Sequence, residues 1–280
     1  MKQASKEAVI SANIKLKKSL GQNFLKDFNL IKKIVSLVKK EENISIVEIG
    51  PGIGALTEEL ITNFEQVIVI EIDQRLIPIL EDKFNDKIEI INEDFLQIDI
   101  NLLKEKITND NIKVIANIPY YITTPIIMKI LNEMKYVNEI IIMVQKELAQ
   151  RICAKEKTKQ YNSLSVFCQT ISDANIEMII KKESFVPMPK IDSAILRFKP
   201  KELDIDRNDY SKFLQACFIQ KRKTLVNCLN QVYKIDKKDL ELFLEKNNIK
   251  INIRAEEIAI KEYLFLYYQF KNEFLKKEEL

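Results

Sequence analysis

The stretch Val47-Glu48-Ile49-Gly50-Pro51-Gly52-Ile53-Gly54 holds three of the four glycines in a chain of 280 residues. An ordinary composition carries about 7% glycine, so glycine is reserved here for positions nothing else fills. Ile46–Ile49 reads as the end of a buried strand and Ala55–Phe64 as a helix. A glycine-rich turn between strand and helix lets the backbone approach a ligand closely and aims the helix N-terminus at it.

Outward from this turn, apolar β-branched runs recur at Ile44–Ile49, Gln66–Ile72, Lys87–Ile91, Ile112–Ile118 and Glu139–Val144, with helical stretches between them. Upstream, Ile31, Ile34, Val35 and Val38 form one stripe in a helix over Phe28–Lys40. This rhythm predicts an α/β fold, a parallel sheet with helices on both faces. Two later runs, Asn175–Ile180 and Ser193–Phe198, have no clear helix between them and are expected to pair antiparallel at the sheet edge. After Lys199-Pro200-Lys201 only helical signals remain: Tyr210–Ile219, Lys223–Val232, Lys238–Lys246 and Ile258–Phe274. The expected domains are therefore residues 1–200 and a small helical domain over residues 201–280.

The chain has no histidine. That removes Ser-His-Asp and Cys-His catalysis and any imidazole general base. Cys153, Cys168, Cys217 and Cys228 lack the paired spacing of a zinc site or disulfide framework, so no metal is expected. No apolar run reaches the ~18 residues of a membrane span, and residues 1–14 lack a signal-peptide core, so a cytoplasmic protein without a membrane partner is expected. The net charge of +3 conceals an asymmetry: residues 1–40 carry ten lysines against two acids, and residues 41–110 carry 17 acids against five bases. Basic stretches return at Lys146–Lys159, Lys181–Lys201 and Lys221-Arg222-Lys223. Basic surface beside an acidic lobe suits a polyanion such as nucleic acid, although solvated lysines account for the charge equally well.

The glycine turn by itself fits either a dinucleotide or S-adenosylmethionine. An NAD fingerprint wants Gly-x-Gly-x-x-Gly, and here the third glycine comes one residue early. Glu71 lies 21 residues past Gly50 at the next strand end, where an acid binds ribose hydroxyls. At the third strand end, Asp94 is placed to accept from an adenine amino group, with Phe95 packing nearby. The fourth ends in Asn117-Ile118-Pro119-Tyr120-Tyr121. Here the Asn117 side-chain oxygen and the Ile118 carbonyl would accept both N–H bonds of an exocyclic base amine. Pro119 fixes the turn, and Tyr120 offers a face for the base. Acceptors of this kind stabilise positive charge developing on nitrogen, so no strong base is required. Stacking needs the ring rather than the hydroxyl, so Tyr120→Phe is expected to keep most activity.

On these residues the chain resembles the 16S rRNA dimethyladenosine transferase family. The likeness runs from Lys17-Lys18-Ser19-Leu20-Gly21-Gln22-Asn23-Phe24-Leu25 through Glu48–Gly54, Glu71–Arg75, Asn117–Tyr120 and Phe185-Val186-Pro187-Met188-Pro189-Lys190-Ile191-Asp192-Ser193-Ala194. It continues in the helical domain at Phe218-Ile219-Gln220-Lys221-Arg222-Lys223-Thr224-Leu225. The resemblance implies a Rossmann-like class I methyltransferase sheet with a helical C-terminal rRNA-binding domain. It implies S-adenosylmethionine as cofactor, with contacts at Asn23, Leu25, Gly50, Glu71, Asp94 and Asn117; Gly52 joins them from the turn. The target base would meet Asn117, Tyr120 and Phe185. The implied partner is 16S rRNA in a small-subunit precursor, met by a monomer. Where the family usually has Asn after Pro-Tyr, this chain has Tyr121, expected to affect loop packing more than chemistry. Phe185 precedes a rigid Pro-rich loop and suits either closing a stacking sandwich or plugging the core beneath that loop. The related 23S rRNA adenine-N6 methyltransferases share the Asn-Ile-Pro-Tyr motif, and a non-catalytic RNA-binding factor on the same fold is a third reading.

Overall fold

The computed structural model describes residues 24–39 and 41–275. At its centre lies β2 (Ile44–Ile49), whose six residues are all buried. A strand buried on both faces needs helices on both sides of the sheet. The flanking strands are β3 (Gln66–Ile70), β4 (Glu89–Ile91), β5 (Asn111–Asn117) and β6 (Glu139–Gln145). The pairs β2–β3, β3–β4, β2–β5 and β5–β6 are parallel. Helices α2 (Thr57–Asn63), α3 (Ile77–Phe84), α4 (Ile100–Glu105) and α5 (Thr123–Glu133) connect them, burying Leu60, Leu80, Leu103 and Ile130, and α6 (Lys146–Ile152) follows β6. The preceding α1 (Phe28–Val35) is capped by Asp27, whose carboxylate accepts from Asn29 and Leu30 N–H at 3.0 and 3.3 Å.

The seven-stranded sheet has the order β4-β3-β2-β5-β6-β9-β7, with β7 spanning Ser172–Ile180 and β9 spanning Ser193–Pro200. The expected strand pair at the edge is present with a refinement: β9 inserts beside β6 and runs antiparallel to it, leaving β7 outermost. From β2 the chain steps outward to β3 and β4, then returns to add β5 and β6 on the other side of β2. The carboxyl ends of β2 and β5 thus flank the point where strand order reverses, which is where open α/β sheets form ligand crevices. A separate two-stranded pair joins β1 (Phe24–Leu25) to β8 (Phe185–Val186).

The chain divides into two compact units. The first comprises the described residues through Ala149 together with Asn175–Pro200; the second comprises Gln150–Ala174 and the described residues from Lys201 onward. This differs from a single boundary at residue 200. The segment 150–174 joins the C-terminal helices because α7 (Ser163–Ile171) packs against α8 (Arg207–Cys217). Phe167 stacks near Tyr210 at 6.4 Å between centroids, and the Thr170 and Tyr210 hydroxyls lie 3.1 Å apart. The second unit also contains α9 (Leu225–Tyr233), α10 (Lys237–Lys246) and α11 (Ile260–Phe270). Its core is aromatic: Tyr210–Tyr267 and Phe213–Phe270 each lie 5.2 Å apart. The Tyr161 hydroxyl reaches the Ile258 carbonyl at 3.0 Å. Among the described residues no helix is long and apolar enough to cross a membrane.

Candidate cofactor and base-binding site

The turn after β2 is anchored first by backbone: Gly50 N–H donates to the Ile70 carbonyl of β3 at 2.9 Å, and Gly54 N–H to Pro51 at 2.9 Å. Its glycines have different duties. At Gly50, with φ +70°, an added Cβ would touch Ile118 Cγ2 at 3.7 Å and the Asn117 carbonyl at 3.8 Å without a clash, so the left-handed backbone rather than a lack of room calls for glycine. At Gly52 an added Cβ would meet the Phe24 ring at 2.7 Å. At Gly54, with φ +78°, it would lie 2.3 Å from the Phe84 ring of α3. The third glycine therefore serves helix–turn packing. Gly54→Ala combines a left-handed backbone with a steric clash and is expected to cost about 2–3 kcal/mol of stability. A denaturant midpoint measures this, and an unchanged midpoint would contradict the packing role.

Glu71 follows β3 by one residue and is 4% exposed. Its carboxylate accepts from Gly52 N–H at 3.1 Å and from Asp73 N–H at 2.9 Å. It is thus tied to the glycine turn, with its neighbouring loop fixed by the Arg75–Asp73 pair at 2.6 Å. Burial raises its pKa, and backbone bonds from Asp73, Gly52 and Ile72 oppose that rise. Asn92 Nδ2 donates to the Glu71 carbonyl at 2.7 Å, joining this strand end to the next. There, Asp94 Oδ1 accepts from Leu96 N–H at 2.9 Å. Lys129 of α5 braces the same loop by donating to the Leu96 and Ile98 carbonyls at 3.1 and 2.9 Å.

These strand ends line one cavity of about 250 Å³, to which Gly50, Gly52, Glu71, Asp94, Asn117 and Tyr120 all contribute. Leu25 and Pro119 also border it. Asn23 lies outside the described residues. Of the two readings left open for Phe185, its placement matches the core plug: it is not among the residues that line the cavity and is 2% exposed, packed in the cluster of Ile34, Met143 and Ile195. The reason is its pairing on β8 opposite Leu25, which turns the ring into the core. Tyr121, which stands where the family usually has Asn, borders the cavity and is 61% exposed.

The sequence reading missed Phe24, whose ring covers Gly52 at the cavity wall, although the residue stands inside a recognised stretch. It also gave no role to Glu48, which borders the cavity and is 1% exposed. The Thr57 hydroxyl donates to Glu48 at 2.6 Å. Burial nevertheless pushes the Glu48 pKa up to about 8, against the pull of the Thr57 bond and with Glu71 adding repulsion. The unfolded chain releases this proton near 4.5 and the folded chain near 8. Between those values the folded state binds more protons, so stability falls as pH rises through that window. Glu48→Gln is expected to flatten the slope in urea titrations at successive pH values. A slope equal to wild type would remove Glu48 as its source.

Seven strands with this order reversal, a glycine turn, and an acid at the neighbouring strand end define a class I S-adenosylmethionine-dependent methyltransferase. The residues fit that cofactor: the side-chain-free backbone at Gly50, the buried Glu71 carboxylate and Asp94 border one cavity. The ribosomal RNA adenine dimethylase family model matches residues 13–272, and the chain belongs to that family. It is 42% identical over 260 residues to ribosomal RNA small subunit methyltransferase A of Mycoplasma capricolum, covering 91% of this chain and 97% of that protein. The Clostridioides difficile protein of the same name is 41% identical over 270 residues, covering 94% and 93%. Among solved structures, a dimethyladenosine transferase from Plasmodium falciparum matches with a TM-score of 0.76 and 26% identity, over 89% of this chain and 98% of that one. The 23S rRNA methyltransferase ErmE matches with a TM-score of 0.64 and 25% identity, over 88% and 98%.

Proposed function

We propose that this protein transfers methyl groups from S-adenosylmethionine to N6 of two adjacent adenosines near the 3′ end of 16S rRNA, acting as a cytoplasmic monomer on a small-subunit precursor. The observation that carries the reading is Asn117-Ile118-Pro119-Tyr120 at the end of β5, bordering the same cavity as the glycine turn and Glu71. Glu71 would hold the ribose and Asp94 the adenine amino group. Leu25, Gly50, Gly52 and Asn117 would complete the cofactor contacts, with Asn23 preceding them in the chain. The bound cofactor supplies a methyl group on a positively charged sulfur. Asn117 and the Ile118 carbonyl accept the two amine hydrogens of the target adenine. That draws the nitrogen out of conjugation and orients its lone pair. Tyr120 stacks the base, and Pro119 fixes the turn between the two. The proton leaves with solvent once nitrogen carries the new bond, so no histidine is needed.

The small-subunit substrate is favoured over the 23S alternative by relatives at 41–42% identity that are named for the small subunit, against 25% for ErmE. Transfer of labelled methyl into undermethylated small-subunit particles, with large-subunit particles alongside, is the test. Label in the large-subunit RNA alone would overturn the substrate assignment.

The helical unit is read as the rRNA-gripping part. Its exposed Lys155, Lys157 and Lys159 adjoin the exposed Lys221-Arg222-Lys223, linked by a 2.8 Å bond from Lys221 Nζ to the Lys159 carbonyl. Lys15, Lys17 and Lys18 lie outside the described residues. Replacing residues 221–223 by Ala is expected to weaken particle binding and flatten its salt dependence by up to about three in log–log slope. An unchanged slope would make these residues ordinary surface charge.

A further inference from the structure

Tyr120 stands on a single turn, Tyr120–Ile122, between β5 and α5. Two bonds close that turn on the Pro119 carbonyl, from Ile122 N–H at 3.3 Å and from Thr123 Oγ1 at 3.1 Å. Neither sets the direction of the Tyr120 ring. The ring is held at its far end, where its hydroxyl lies 2.7 Å from Ser193 Oγ, a residue 73 positions along the chain.

Ser193 is a firm anchor. It opens β9, is fully buried, and sits in register opposite Gln145 of β6. The residue before it is tied from two sides. The Asp192 carboxylate accepts from Lys182 N–H at 3.2 Å and Lys181 Nζ at 3.3 Å, and its carbonyl accepts from Lys146 N–H at 3.1 Å. A tyrosine has two side-chain torsions, so fixing both the backbone and the hydroxyl leaves the ring little freedom. A stacking face assists transfer only when it is already oriented as the base arrives.

We propose that Ser193 is a positioning residue for methyl transfer, holding the Tyr120 ring at the cavity in the orientation that stacks the target adenine. The proposal rests on the reading of Tyr120 as the base platform. It revises the expectation that the ring alone suffices, because Tyr120→Phe keeps the ring and loses its anchor. Burial raises the phenol pKa, partly offset by the Ser193 bond, so the hydroxyl pair stays neutral at neutral pH.

A double-mutant cycle separates this role from a buried serine that merely satisfies a hydrogen bond. Single-turnover transfer to undermethylated small-subunit particles, with cofactor saturating, is compared for wild type, Ser193→Ala, Tyr120→Phe and the double variant. Each single change is expected to slow transfer about 5- to 10-fold, the size of one lost intramolecular hydrogen bond. The double variant is expected to be no slower than the slower single, because both changes break the same bond. Cofactor affinity measured by calorimetry without RNA is expected to match wild type in all four. Multiplicative slowing, wild-type rates in the single variants, or a parallel loss of cofactor affinity would overturn the anchor. Tyr120→Ala keeps the two readings apart. Wild-type transfer by Tyr120→Ala overturns the platform itself, whereas slow transfer by it beside wild-type rates for Ser193→Ala overturns only the anchor.

Discussion

Asn117→Ala is expected to slow single-turnover methyl transfer by about two to three orders of magnitude, the loss typical of removing one preorganised polar group from a transition state. The adenine N6 lone pair is delocalised into the ring, so the free amine is a poor nucleophile. An acceptor at the end of β5 rewards the pyramidal nitrogen more than the planar one, and its removal therefore acts on the rate more than on RNA binding. Particle binding, measured by filtration at fixed salt, is expected to stay within a few-fold of wild type. Transfer at the wild-type rate would end this mechanism.

Glu71→Ala is expected to weaken S-adenosylmethionine binding a hundredfold or more, as the loss of two charge-assisted bonds to a ribose implies, roughly 3 kcal/mol or more. The substitution also strips the Gly52 and Asp73 N–H groups of their acceptor, so the glycine turn loses its tie to the second strand end. Because burial raises the Glu71 pKa, wild-type affinity is expected to begin falling on acidification at a higher pH than an exposed carboxylate would give. Calorimetric titration from neutral to mildly acid pH reads both effects. Unchanged affinity in the variant would remove the ribose assignment.

The carboxyl-end cavity was legible in the sequence because its parts are local. A strand end followed by Gly50-Pro51-Gly52 announces itself, and β2 spans the very residues, Ile44–Ile49, that its apolar run gives. Glu71, Asp94 and Asn117 each close a recognisable strand, and a parallel sheet brings such ends to one side. Features made by distant packing were not legible. Nothing near Phe185 in the chain says that β8 pairs with β1 and turns the ring inward. A stacking aromatic and a core aromatic are the same letter. Residues 150–174 look like a continuation of the sheet domain until Phe167 and Thr170 are seen against Tyr210. The first helix stops at Val35, short of the apolar stripe's end, where the Ser36 hydroxyl donates to the Lys33 carbonyl at 2.8 Å and competes with the helical ladder. Ser193 stands inside a recognised stretch, but its bond to Tyr120 was not legible, since the two lie 73 residues apart.

The central claim is that the cavity at the ends of β2 and β5 directs methyl groups to the amines of two neighbouring adenosines. Mass spectrometry of RNA from undermethylated small-subunit particles, incubated with the purified protein and S-adenosylmethionine, tests it most directly. N6,N6-dimethyladenosine is expected at two adjacent positions near the 3′ end of 16S rRNA, absent when Asn117→Ala replaces the wild type over the same interval. Methylation confined to carbon atoms, ribose oxygens or a different base would contradict it.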